Sequence, residues 1–298
     1  MLVEGRVVLH RLTLPEGITL RAAWEAVAGD DLLSGDMPPM EGFAEGALLP
    51  ETYTYTRGDD RGALIRRMKA AMDKALDEAW AARRPDLPLS TPEEMLILAS
   101  IVERETGIPD ERPLVAGVFV NRLKRGMRLQ SDPTVIYGLS EGTGRIDRGI
   151  TRSDLGNAHD WNTYEIDGLP KTPIALPGRA ALMAVAQPAE TDALYFVADG
   201  TGGHVFARTL AALRCLQPRS RLILSRSPNH SSLTLRLQRH GSSLRRSSSS
   251  LRRRSCRRPP VSDLSALALA TLRCLQPRRR LILSRRPVHS RLRLRLHR

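Results

Sequence analysis

Residues 99–139, ASIVERETGIPDERPLVAGVFVNRLKRGMRLQSDPTVIYGL, decide how the rest of this chain is read. Just upstream, Thr91-Pro92-Glu93-Glu94 combines a hydroxyl N-cap, a proline at the first helical position and a capping-box glutamate. A helix should therefore run from there to Thr106 and stop at Gly107-Ile108-Pro109. At about 100° per residue, Glu105 falls roughly 20° from Leu98, roughly 40° from Ile101 and roughly 60° from Val102. Glu103 falls roughly 160° from Glu105 on the same wheel. The wheel thus predicts that Glu105 faces the interior and that Glu103 faces out, as a solvated or salt-bridging residue. A carboxyl group held among hydrocarbon is costly to ionise, so its pKa should rise toward the range useful for donating a proton. The segment that follows is polar and holds Asn121, Gln130, Asp132 and Tyr137.

Working outward, Arg6 to Thr13 reads as a strand, and Thr19 caps a short helix to about Ala28 with Leu20, Ala23, Trp24 and Val27 on one face. A period-2 Tyr/Thr stretch near residue 54 reads as a second strand. Leu64, Ile65, Met68, Met72, Leu76 and Trp80 recur every three or four residues, which predicts a long amphipathic helix from Arg61 to about Ala82. A further helix should span Glu111 to Lys124, with Val115, Val118, Phe119 and Leu123 inward. The stretch from Ser140 to Asp160 reads as a surface loop, Asn162–Ile166 as a strand, and Pro177-Gly178-Arg179 as the opening of a helix to about Ala186. Residues 193–198 and 204–207 flank Asp199-Gly200-Thr201-Gly202-Gly203, which predicts a hairpin. Those glycines have no following helix or Lys-Ser/Thr pair, so they do not form a phosphate loop. Helices with short strands and one late hairpin indicate an α+β fold.

Composition divides the chain in two. Residues 1–210 hold 23 Lys+Arg against 31 Asp+Glu, whereas residues 211–298 hold 23 Arg against the single acid Asp263. The net charge of +14 therefore belongs to the tail, and a nucleic-acid-binding reading rests on that tail alone. All three cysteines (Cys215, Cys256, Cys274) lie there too, which excludes a thiol nucleophile, a disulfide framework or a thiolate metal site from the body. No cofactor is expected, and the histidines show no metal-ligand spacing. The longest run counted as apolar, Met95 to Val102 with Ser100 in it, has eight residues, short of the ~18 a membrane span needs. The N-terminus lacks the layout of a secretion signal, so the chain as written reads as soluble. LRCLQPRSRLILSRSPNHS at 213–231 recurs as LRCLQPRRRLILSRRPVHS at 272–290, and this Arg/Ser-rich low complexity predicts disorder after residue 210.

With these residues in view, the body resembles the endolytic murein transglycosylases of the MltG or YceG-like family. The resemblance runs from about Val7 to Leu210 and is carried by ASIVERETG (99–107), GVFVNRLKRGMRLQSDPTVIYGL (117–139), Asn162-Thr163-Tyr164 with Gly168-Leu169-Pro170, and LYFVADGTGGHVF (194–206). It implies cleavage of the N-acetylmuramic acid–N-acetylglucosamine β-1,4 bond of nascent peptidoglycan strands without water, leaving 1,6-anhydro ends. It implies Glu105, the second acid of the Glu-x-Glu pair, as the catalytic group, with Gln130, Asp132, Tyr137, Asn162 and Tyr164 around the sugar. It implies peptidoglycan strands as substrate, peptidoglycan synthases as candidate partners, and a membrane-anchored position facing the cell wall. The domains it implies are a remnant of a LysM-like subdomain at 1–56, a catalytic domain at 57–210 and a foreign tail at 211–298.

On that reading the chain starts late and lacks the anchor, and the tail is the product of an out-of-frame translation. Against it stand plainer readings. Asp132 before Pro133 is also a common turn former, Tyr137 and Tyr164 are equally packing aromatics, and the run Arg122, Lys124, Arg125, Arg128 reads as a solvated helix face. The alternative function is a peptidoglycan-binding module without catalysis.

Overall fold

The computed structural model describes residues 8–216. Chain order is β1 (Leu9–Thr13), α1 (Leu20–Ala28), β2 (Thr52–Thr56), α2 (Arg61–Ala81), α3 (Pro92–Glu105), α4 (Arg112–Lys124), α5 (Asp132–Leu139), α6 (Arg152–Leu155), α7 (Arg179–Ala186), β3 (Tyr195–Ala198), β4 (His204–Ala207) and α8 (Leu210–Leu216). Two two-stranded sheets and these helices make an α+β fold, as the periodicities imply. β1 and β2 pair antiparallel from Leu9↔Thr56 to Thr13↔Thr52. The period of two sends Tyr53 and Tyr55 inward while Thr52 and Thr54 face water.

The apolar side chains form two cores. The first gathers Leu20, Ala23, Trp24 and Val27 of α1 with Tyr53 and Tyr55 of β2 and Leu64, Ile65 and Met68 of α2. The second takes Met72, Ala75 and Ala79 from the later turns of α2 and packs them with α3, α4 and α7. A single stripe along α2 thus serves both cores.

The second core is built around α3. Thr91 Oγ1 accepts the Glu94 amide at 3.2 Å and the Glu94 carboxylate reaches back to the Ser90 N–H at 2.5 Å, which fixes the start of the helix. α3 packs against α2, α4, α5 and α7 at once. Its buried residues run from Met95 and Ile97 through every position to Glu103, so the helix is enclosed rather than half-wet. This corrects the expectation for Glu103. The residue is 9% exposed because the side of α3 opposite Glu105 meets α4 and the start of α7 instead of solvent.

Three further expectations change. Asn162–Ile166 forms turns, not a strand, because the Asn162 carbonyl accepts the amides of both Glu165 and Ile166 at 2.9 Å. The 140–160 loop holds a short helix, α6, closed by a capping box in which Thr151 and Asp154 bond reciprocally. At the far end α8 carries regular structure past residue 210, where the tail was expected to begin. The expected disorder from residue 217 onward concerns positions outside the described residues, as does the start of the first strand at Arg6. Among the described residues no helix is long and apolar enough to cross a membrane.

Candidate active site

Glu105 is the last residue of α3, where the helix emerges from the core, and its side chain is half-buried. Ser131, at the N-cap of α5, donates its hydroxyl to Glu105 Oε1 at 2.5 Å. Burial pushes the Glu105 carboxyl up to about 7; the Ser131 hydrogen bond opposes this, the nearby Asp132 carboxylate adds to it, and His204 and Arg122 oppose it more weakly. An acid with these surroundings is divided between its protonated and ionised forms near neutrality, and it has a hydroxyl ready to stabilise the ionised form. That is the profile of a group that gives a proton and takes one back.

The ground beside Glu105 is held by two interlocked segments. Gln130 adopts a left-handed backbone at φ +50°, unusual for a residue with a Cβ, and its N–H reaches the Thr163 carbonyl at 3.0 Å. The next amide, of Ser131, donates to Thr163 Oγ1 at 2.9 Å. Thr134 Oγ1 donates to the Ser131 carbonyl at 2.6 Å and lies 2.9 Å from Thr163 Oγ1. This lattice of buried bonds sets the rotamer from which the Ser131 hydroxyl meets the acid. Across it, Tyr164 donates its phenol to Asp132 Oδ1 at 2.5 Å, and burial with that carboxylate pushes the phenol well above its usual range.

Of the residues singled out from sequence, Glu105, Asp132 and Tyr164 come together, and Gln130 stands exposed at the rim. Asn162 serves from behind. It is fully buried, its amide donates to the carbonyls of Leu155 and Asn157 at 3.0 and 2.7 Å, and its Oδ1 accepts the Tyr164 amide at 2.9 Å. Tyr137 sits further along α5 beside a separate pocket of about 240 Å³, edge-on to Trp161 at 5.6 Å, with its hydroxyl 3.2 Å from Glu45. Burial pushes Glu45 up to about 7 as well, against the opposing bonds from Leu20 and Tyr137. Asn121 is spent on the backbone, donating to Thr191 and Ala193 at 2.8 and 3.1 Å. No group of three or more His, Cys, Asp or Glu among the described residues could hold a metal ion.

Comparison with known proteins then places the chain. The profile of the YceG-like family matches residues 1–214. The chain belongs to the YceG-like family. Two relatives named endolytic murein transglycosylase, from Streptococcus pneumoniae serotype 2 and Bacillus subtilis 168, are each 34% identical, over 192 and 172 residues, covering 61% and 58% of this chain. The chain spans only 34% and 45% of their lengths, so it corresponds to less than half of either. A crystal structure of a YceG-like protein from Listeria monocytogenes matches with a TM-score of 0.57 at 29% identity, covering 70% of this chain and 76% of that one.

Several residues around this candidate site were not legible as such in the sequence. Ser131 is 26 positions from Glu105, and no local spacing announces the pair. Arg122, read as part of a solvated basic face, is 7% exposed: it donates to the carbonyls of Leu194 and Leu129 at 2.7 and 2.6 Å and lies over the Tyr195 ring. It thereby ties α4 to the hairpin while its charge acts on Glu105. Glu103 accepts Arg112 Nη2 at 2.8 Å and the Gly178 amide at 3.0 Å, which joins α3, α4 and the N-terminus of α7. Burial raises its pKa, and Gly178 and Arg112 pull the other way. One acid of the Glu-x-Glu pair faces the site and the other locks the helix that presents it.

Proposed function

We propose that this chain is an endolytic lytic transglycosylase of peptidoglycan. The observation that carries the reading is Glu105: a carboxyl group pushed up to about 7 by burial, bonded to Ser131, on ground shared with Asp132 and Tyr164. Protonated Glu105 donates to the oxygen of the β-1,4 bond between N-acetylmuramic acid and N-acetylglucosamine as that bond breaks through an oxocarbenium-like state. The resulting carboxylate then removes the proton of the C6 hydroxyl of N-acetylmuramic acid, and that oxygen closes on C1. The product is a 1,6-anhydro end. Because the nucleophile belongs to the substrate, a single acid suffices, unlike the paired carboxylates of most glycoside hydrolases.

Asp132, Tyr164 and Gln130 orient the sugar beside Glu105, Asn162 supports Tyr164 from behind, and Tyr137 meets the strand further along. The segment before α2 is the end of a LysM-like subdomain. The substrate is nascent glycan strands on the outer side of the membrane, with peptidoglycan synthases as partners, and cleavage limits strand length. The names of the relatives and the family match support this reading.

The test is to incubate the chain with uncrosslinked glycan strands and resolve the products by mass. The wild type should give anhydro-terminated fragments, lighter than hydrolysed ones by one water, and Glu105→Gln should give none. Reducing ends would mean a hydrolase. Retained but uncut strands would support the binding-module alternative.

A further inference from the structure

The helix that presents the acid ends without a glycine cap. Glu105 is the last residue of α3, and Thr106 after it is already extended at φ −138°. The closing backbone bond, from the Thr106 amide to the Val102 carbonyl, is long at 3.4 Å. Helix ends of this kind fray unless side chains or neighbouring segments hold them. One such segment is the turn between β1 and α1, which lies before α2 in the chain.

Arg104, the residue directly before Glu105, donates Nη1 to the Gly17 carbonyl at 3.1 Å, across 87 positions of sequence. Gly17 is buried with φ +78°, and a Cβ there would come 3.5 Å from Arg104 Cδ and 3.6 Å from Glu103 Cγ. The turn therefore lies against both side chains that precede the acid. It is fixed from its other side as well. The Gly17 amide donates to the Leu176 carbonyl at 2.9 Å, and the Leu176 amide donates to the Ile18 carbonyl at 2.7 Å. Glu16 accepts Arg112 Nη2 at 3.1 Å, and a Cβ on Gly178 would collide with the Glu16 carboxylate. Arg104 itself is exposed, so its bond to Gly17 bears less on the fold as a whole than on the helical turn it holds.

We propose that Arg104 is a positioning residue for Glu105, and that the β1–α1 turn it grips is a working part of the catalytic machinery although it lies before α2. The inference rests on the transglycosylase reading for its purpose. The acid must meet the glycosidic oxygen and then the C6 hydroxyl, and a small misplacement of a group so near the reaction costs rate rather than binding. In this role Arg104 orients the last turn of α3 and touches no substrate. The bond to one carbonyl needs one N–H donor, which lysine also supplies. Methionine keeps the apolar stem and has none.

The experiment compares wild type, Arg104→Met, Arg104→Lys and Gly17→Ala on uncrosslinked glycan, with thermal melts to confirm folding. Arg104→Met should lose about tenfold in kcat with KM unchanged, and Arg104→Lys should recover most of it. Gly17→Ala tests the same contact from the other side with no change of charge. Its backbone is strained at φ +78° and its methyl presses on Arg104, so kcat should fall in the same way. Amide hydrogen exchange at Glu105 and Thr106 reads the helix end without turnover. It should quicken by about tenfold in Arg104→Met and Gly17→Ala but not in Arg104→Lys. If Gly17→Ala does not fold, the two Arg104 variants decide. A loss confined to KM, or one as deep in lysine as in methionine, would put Arg104 on the substrate and overturn the proposal, as would unchanged exchange. A wild type that makes no anhydro ends, with exchange altered as expected, would refute the transglycosylase reading and uphold the tether.

Discussion

Replacing Glu105 with glutamine should stabilise the protein, by an amount that grows as the pH rises. In the unfolded chain the carboxyl ionises near 4.5, and in the fold burial moves it to about 7. A carboxyl whose folded value is raised favours the fold fully below the unfolded value, and that contribution is lost as the pH climbs through the folded one. The interval corresponds to about 3 kcal/mol in full, and about 2 kcal/mol once the half-exposed side chain is allowed its share of solvent screening. Glutamine cannot ionise, and its carbonyl oxygen can still accept the Ser131 hydroxyl, so the variant is spared the charge and keeps the bond. Urea unfolding of both proteins at pH 4 and pH 8 is the assay. The variant should match the wild type at pH 4 and exceed it by about 2 kcal/mol at pH 8. A difference that stays flat across this range would mean that Glu105 ionises like a solvated acid, and the argument from burial would fail.

Two further substitutions probe its neighbours. Ser131→Ala removes the hydroxyl that favours the ionised acid, so the alkaline limb of activity should move up by about one pH unit. A limb that moves down would refute the donor role assigned to Ser131. Glu103→Ala should cost about 3–5 kcal/mol in urea unfolding, because it leaves buried Arg112 with only the half-exposed Glu16 and orphans the Gly178 amide. A cost under about 1 kcal/mol would mean that Glu103 is not what locks α3 to α4 and α7.

Much of this fold was legible because its signals are local. Thr91-Pro92 with Glu94 announces the start of α3, the stripe from Leu64 to Trp80 announces α2, and Asp199 to Gly203 announces the hairpin turn, with Gly200 and Gly202 at φ +85° and +106°. The wheel was less accurate for Glu105: it shares a face with apolar neighbours, yet at the end of the helix it is half-buried and bonded to Ser131, less enclosed than Glu103. What could not be read is what waits on the other faces. A helical wheel sorts residues relative to each other and assumes one wet side; α3 has none along its middle turns, so the acid opposite Glu105 met Arg112 and Gly178 instead of water. Arg122 misled for a related reason. In a run of basic residues only its place between the carbonyls of Leu129 and Leu194 separates it from its solvated neighbours. Asn162–Ile166 had strand composition, but strands need partners, and the Asn162 side chain and carbonyl bind the local backbone into turns first. The capping box of Thr151 and Asp154 and the Thr209 cap of α8 are, by contrast, local signals that the sequence does carry.

The central measurement is the titration of the Glu105 side-chain carboxyl by ¹³C NMR, identified by its loss in Glu105→Gln. An apparent midpoint near 7 would show one buried acid, poised to lend a proton and reclaim it. A midpoint near 4.5 would show an ordinary ionised carboxylate at neutral pH, and bond cleavage would then need another source for its proton.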